Sequence, residues 1–328
     1  MPLETVSVIG GGAWGTALAQ AVAMAGRSVS LVMRNAEQAG VINASRQNAA
    51  ALPGQELHPA VNAVGNLAAS DIIILAVPAQ STRTLLSGLD PALLAGKPVI
   101  LSAKGLETGT LARQSEILAD MAPEAVGYVL SGPSFAADVA AGRPTAVTLA
   151  GDDAEATSDL ATALAGPSFR PYAADDRIGV EIAGALKNVY ALACGAVEGA
   201  NLGASARAAL IARGYAEMAR VVTAMGGSAH TLTGLAGLGD LTLTCTSTQS
   251  RNYQFGMALG AGRRTADILA SGAKLAEGVA TAPVAAALTK SLGVDTPLID
   301  AVEAVVSGKA DIATVLAGLM SRPLRREH

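Results

Sequence analysis

Val6-Ser7-Val8-Ile9-Gly10-Gly11-Gly12-Ala13-Trp14-Gly15 decides the fold. A short strand-forming run enters a GxGxxG turn, and the Ala-rich stretch that follows reads as a helix closed by Gly26. In such a turn the first glycine (Gly10) permits the tight bend, the second (Gly12) lets a pyrophosphate approach the backbone, and the third (Gly15) lets helix and strand pack closely. The free N–H groups and dipole of the helix start favour the anion. A dinucleotide site at the N-terminus is predicted, against the alternative of a merely structural glycine turn.

The acid that usually reads the ribose about 20 residues further on is absent, and Arg34 stands at the end of the second strand. A guanidinium there pairs with a 2′-phosphate and stacks on adenine, so NADP(H) is expected as well as NAD(H). The alternative is a solvated arginine at a strand end.

Outward from this motif, branched runs alternate with Ala-rich stretches at Ser28–Met33, Asp71–Val77, Val99–Ser102, Tyr128–Leu130 and Ala146–Leu149. That alternation predicts βα units around a parallel sheet. After Phe169–Ala173 the strand pattern stops and helical patterns take over, such as Ala206–Met225 before Gly226-Gly227. The expected fold is α/β: a Rossmann-type parallel-sheet domain over residues 1–177, then an all-helical substrate domain over 178–328, with the boundary near Asp176–Gly179. Thr231–Thr248, rich in Gly and Thr, reads as a functional loop interrupting the helices. No internal repeat is visible.

A chain of 328 residues suits two domains, and its 51% hydrophobic but 3% aromatic composition suits small-residue helices on a branched-residue sheet. Net charge −4 without a basic run argues against nucleic-acid binding. Cys194 and Cys245 lack CxxC spacing and clustered histidines, so neither a disulfide framework nor a metal site is expected, and a reducing, cytoplasmic location is the simpler reading. No signal peptide is expected. The segment Ile178–Leu202 contains Glu181, Lys187, Asn188 and Glu198, which argues against membrane insertion.

A carbonyl reductase needs a proton donor. His58, His230 and His328 fall in no motif, and a structural role is the better reading of each. Lys104 directly follows the strand Val99–Ser102, at the carboxyl end of the sheet where open α/β folds bind ligands. Lys187 lies within a predicted apolar helix, Val180–Cys194, where an unpaired charge is costly unless it faces a cleft or an anion. Burial would bring its pKa toward working pH, whereas the alternative is a snorkelling surface lysine. Ser250-Arg251-Asn252 reads as a capped helix start offering charge and donors to one phosphate, or as an ordinary cap with an exposed arginine.

At these residues the chain resembles the bacterial NAD(P)+-dependent glycerol-3-phosphate dehydrogenase family. The likeness is carried by GGGAWGTALA from Gly10, LPGQELHP from Leu52, SAKGLE from Ser102, SGPSFAADVAAGRPTAV from Ser131, EIAGALKNVYALACG from Glu181, GLAGLGDLTLTC from Gly234, SRNYQFG from Ser250 and AEGVATA from Ala276. It implies reversible reduction of dihydroxyacetone phosphate to glycerol 3-phosphate by NAD(P)H for phospholipid synthesis, in a homodimer. Lys187 matches the catalytic proton acceptor, and Lys104 a residue touching cofactor and substrate. Gly132, Ser134, Asp240, Ser250, Arg251 and Asn252 match substrate positions. Trp14, Arg34, Ala136, Arg251, Leu275 and Glu277 match cofactor positions. Two departures stand out: Ala13 replaces the usual serine, leaving its backbone N–H available to pyrophosphate, and Ala51 replaces a common aromatic residue.

The chemistry so implied is hydride transfer to the ketone, with Lys187 protonating the alkoxide, Asp240 orienting that lysine and binding a substrate hydroxyl, and the Ser250–Asn252 helix start holding the phosphate. It calls for no metal. Two other readings stay open: a Rossmann-plus-helical reductase of 3-hydroxy acids or ketopantoate, and a noncatalytic NADP(H)-sensing module.

Overall fold

The computed structural model describes residues 3–272 and 276–323. Among these residues eight strands form one sheet: β1 Thr5–Ile9, β2 Ser28–Val32, β3 Val61–Val64, β4 Ile72–Leu75, β5 Pro98–Leu101, β6 Val126–Ser131, β7 Thr145–Ala150 and β8 Phe169–Ala174, in the order β3-β2-β1-β4-β5-β6-β7-β8. The helices of this half are α1 Ala13–Met24, α2 Ala36–Ser45, α3 Thr82–Ser87, α4 Gln114–Met121, α5 Ala136–Ala140 and α6 Ala154–Leu164. Strands such as Ile72–Leu75 are buried throughout, as a sheet covered on both faces requires. The order reverses between β1 and β4, which opens a crevice at their carboxyl ends.

The expected strands all form, with one more, Val61–Val64, where Asn62 and Ala63 interrupt the run of branched residues that marks the others. The sheet is not wholly parallel. β7 runs antiparallel to β6, with Ser131 opposite Thr148, and β8 follows β7. Hydrophobic alternation carries no strand direction, so the reversal was not readable. Its effect is to keep the β6–β7 connection, with Gly132, Ser134 and Ala136, at the ligand-binding end of β6.

From Arg177 the described chain is helical: α7 Arg177–Gly199, α8 Ala204–Ala224, α9 Asp240–Thr246, α10 Arg251–Gly260, α11 Thr265–Ala270, α12 Glu277–Ser291, α13 Pro297–Val306 and α14 Ile312–Met320. Asp176 caps α7 by accepting from Gly179 N at 2.8 Å. α7 is long and apolar enough to cross a membrane, yet 89% of its most apolar window is buried inside the protein, so it is a core helix. Thr231–Thr248 is not an open loop. It winds through a 3-10 turn (Ala229–Thr233), a π turn (Leu235–Gly239) and α9, which places Asp240 at a helix start.

Candidate active site

The glycine turn has the form its sequence requires. Gly10 has φ +123, and a Cβ there would come within 2.6 Å of Ala76 O; a Cβ on Gly15 would come within 1.9 Å of Gly10 O. Nothing lies within 4 Å of the position a Cβ on Gly12 would take, so the backbone is open where pyrophosphate is expected. Gly12 caps α1 without a side-chain bond, and Ala13 and Trp14 form its first turn. The Trp14 indole Nε1, in this first turn, is buried without a hydrogen-bond partner among the described residues. These residues fit a dinucleotide. Arg34 is exposed just past β2, where Asn35 caps α2. Ala136 opens α5 and packs against the core beneath α1. Leu275 and His328 lie outside the described residues.

The lysines meet on one carboxylate. Lys104 Nζ donates to Asp240 Oδ2 at 2.7 Å and to Gly132 O at 3.1 Å. Lys187 Nζ donates to Asp240 Oδ1 and to Thr244 Oγ1, the latter at 3.0 Å. Thr244, one helical turn after Asp240, donates a hydrogen bond from its hydroxyl to Asp240 Oδ1 at 3.3 Å. Lys187 is 6% exposed and Asp240 1%. Burial lowers the Lys187 pKa to about 8, with the second ammonium of Lys104 adding to the shift and Asp240 opposing it. Burial pushes the Asp240 carboxyl up, but the two ammonium groups outweigh this and hold it below its ordinary range.

A line of amides runs from this cluster to α10. Asn188 Nδ2 donates to Lys104 O at 3.1 Å, Asn252 Nδ2 to Asn188 Oδ1 at 2.8 Å, and Gly278 N to Asn252 Oδ1 at 2.9 Å. The Asn252 side chain is therefore largely engaged inside the protein, leaving its backbone at the helix start. Ser250 caps α10 by accepting from Tyr253 N at 3.2 Å, as its sequence predicted. The Arg251 side chain is exposed at the first position of α10, and no hydrogen bond within the described residues ties it down. Burial pushes the Glu277 carboxyl up, opposed by the charge of Arg251, a backbone hydrogen bond from Ala79 and the charges of Lys104 and Lys187. Just past the carboxyl end of β6, Gly132 has φ +148, and a Cβ there would lie 2.8 Å from Val147 Cα; Ser134 Oγ donates to Gly132 O at 3.0 Å.

Sequence reasoning missed Thr244 and the bridging role of Asn188. The i, i+4 spacing of Asp240 and Thr244 was visible, but only a helix there makes it meaningful. Neither described histidine joins this cluster: His58 Nδ1 accepts from Ala60 N at 3.2 Å within a turn, and His230 is exposed.

A dinucleotide turn on a doubly wound sheet, facing a lysine-bearing helical half, defines a Rossmann-type nicotinamide-dependent oxidoreductase with a helical second half. The family models for the NAD-dependent glycerol-3-phosphate dehydrogenase N-terminus and C-terminus match residues 5–157 and 176–317. The chain belongs to this family. It is 51% identical to the glycerol-3-phosphate dehydrogenase [NAD(P)+] of Methylobacterium radiotolerans, over 100% of this chain and 99% of that one. It is 48% identical to the enzyme of the same name from Caulobacter vibrioides, over all of both chains. The crystal structure of glycerol-3-phosphate dehydrogenase from Coxiella burnetii superposes with a TM-score of 0.91 at 36% identity, over 97% of this chain and 99% of that one.

Proposed function

We propose that this enzyme reduces dihydroxyacetone phosphate to glycerol 3-phosphate, reversibly, with NAD(P)H. The observation that carries the site assignment is the Lys187–Asp240–Lys104 cluster lying one amide bridge from the start of α10. When bound, the reduced nicotinamide supplies the hydride for the ketone carbon. Gly10, Gly12, Ala13, Trp14, Gly15, Arg34, Ala136, Arg251, Leu275 and Glu277 would hold the dinucleotide.

Lys187, with its pKa near neutrality, gives its proton to the developing alkoxide and takes it back in the reverse direction. Lys104 stabilises the same oxygen, or the adjacent hydroxyl, by charge. Asp240 has both oxygens engaged by the lysines, so it acts chiefly by holding them. Gly132 and Ser134 border this cluster. Arg251, the Ser250 cap and the backbone N–H of Asn252 take the phosphate, where charge and helix dipole act together. The phosphate anchor fixes the carbonyl before chemistry.

This reading divides the chain into a cofactor domain, 1–177, and a substrate domain, 178–328. It includes a cytoplasmic homodimer that supplies glycerol 3-phosphate to phospholipid synthesis. The test is NADPH oxidation with dihydroxyacetone phosphate against ketopantoate and a 3-keto acid. Turnover of the phosphate ester alone supports the reading, while turnover of a keto acid alone overturns it. Light scattering tests the dimer.

A further inference from the structure

α7 meets the sheet half along a stripe. Glu181, Gly184 and Asn188 are spaced i, i+3, i+7 and share one face, the outer pair about 10.5 Å apart along the axis. At Gly184 the backbones approach closely: a Cβ there would lie 2.9 Å from Ser131 Oγ and 3.5 Å from Lys104 Cγ. At one end of the stripe Asn188 holds Lys104 O. At the other, the carboxylate of Glu181, 5% exposed, is gripped by the start of α4. Ser115 N donates to its Oε1 at 2.8 Å, while Ser115 Oγ, at 2.6 Å, and Arg113 Nη1, at 3.3 Å, donate to its Oε2.

Ser115 is the second residue of α4, so the carboxylate sits on a helix N-terminus. The preceding residue, Gln114, is 1% exposed and donates from Nε2 to Gly105 O at 3.0 Å. The start of α4 thus grips both the loop that carries Lys104 and the helix that carries Lys187. Burial pushes the Glu181 carboxyl up, opposed by Ser115 and Arg113, so keeping a charge here is costly. None of the chemistry above uses Glu181. A rotation of α7 by about 10° would displace a side-chain tip by about 1 Å, and an error of that size can cost about 10²-fold in rate.

We propose that Glu181 is a positioning residue for the lysine pair: anchored to the start of α4, it holds α7 at the rotation that sets Lys187 against Asp240 and Lys104. The inference rests on the reading of Lys187 as the proton donor. It is tested with Glu181→Leu, Glu181→Gln and Ser115→Ala, measuring kcat, KM, NADPH affinity, Tm and the pH profile. Glu181→Leu lowers kcat by about 10²-fold and moves the lysine limb of the pH profile, with NADPH affinity within about twofold of the parent. Glu181→Gln keeps an acceptor for Ser115 N–H and recovers most of the rate, and Ser115→Ala falls between.

Parental kcat with an unmoved pH limb in Glu181→Leu overturns the proposal. Should that variant not fold, the same result in Ser115→Ala does so. A fall in Tm with kcat per folded molecule intact also overturns it, because the carboxylate is then only a structural tie. If the parent does not reduce dihydroxyacetone phosphate, the functional reading fails instead. The brace is then judged by NMR titration of Lys187 in the same variants, a displaced pKa supporting it and a parental one overturning it.

Discussion

Lys104 and Lys187, 83 positions apart in the chain and carried by different halves of the fold, bind the two oxygens of a single buried carboxylate, that of Asp240. Burial, with the neighbouring Lys104 cation adding to it, makes Lys187 easier to deprotonate than a solvated lysine, although Asp240 opposes the shift. That is the electrostatic requirement of a group that gives up a proton near neutrality and recovers it.

Lys187→Met keeps length and apolar packing but deletes the proton donor. kcat is expected to fall by roughly 10²–10⁴, about 3–5.5 kcal/mol of barrier, while NADPH affinity survives. Fluorescence titration of NADPH beside steady-state kinetics checks this, and near-parental kcat would transfer the role to Lys104.

The pH dependence follows from the lowered Lys187 pKa of about 8. Ketone reduction needs the protonated lysine, so kcat/KM for reduction falls as pH rises through about 8, and that for oxidation rises over the same range. The stability sign is separate. A lysine whose pKa is lowered on folding makes the fold cost more in its charged form, so its contribution to stability improves as pH rises from about 8 toward its ordinary 10.5. Rate profiles in both directions, repeated with Lys187→Met, test the assignment.

Asp240→Asn leaves two ammonium groups in the interior without their shared counter-charge. Removing one partner from such a buried cluster costs about 3–5 kcal/mol. A large drop in Tm is expected, together with a Lys187 pKa still lower than in the parent. Unchanged thermal stability would show that solvent already screens the pair.

Arg34→Ala is expected to weaken NADPH by about 1.5–3 kcal/mol through loss of one charge-assisted contact, and NADH far less. Dissociation constants for both cofactors decide it. Equal losses would show that this guanidinium does not read the 2′-phosphate.

Arg251→Ala should raise the KM for dihydroxyacetone phosphate strongly and NADPH affinity should change less. Inorganic phosphate or sulfate should compete with substrate in the parent. An unaltered KM and unaltered inhibition would place the phosphate site elsewhere.

Local chemistry written along the chain was enough for the glycine turn and for the start of α10. Val6–Gly15 needs only backbone sterics to become a strand, a tight turn and a helix start, and Ser250 needs only its own hydroxyl and the N–H three residues on to cap α10. Motif resemblance also reached Lys104, Lys187, Asp240 and Arg251 one by one. What no local pattern contained was their convergence. The antiparallel turn of β7 onto β6, which keeps Gly132 beside Lys104, depends on strand pairing, and alternation of apolar residues is silent about direction. Likewise Thr231–Thr248 reads as a loop from its glycines, yet packing against α7 winds it into turns that start a helix at Asp240. The shared carboxylate and its depressed lysine pKa exist only once long-range packing removes water from groups that, in the unfolded chain, each keep their own hydration.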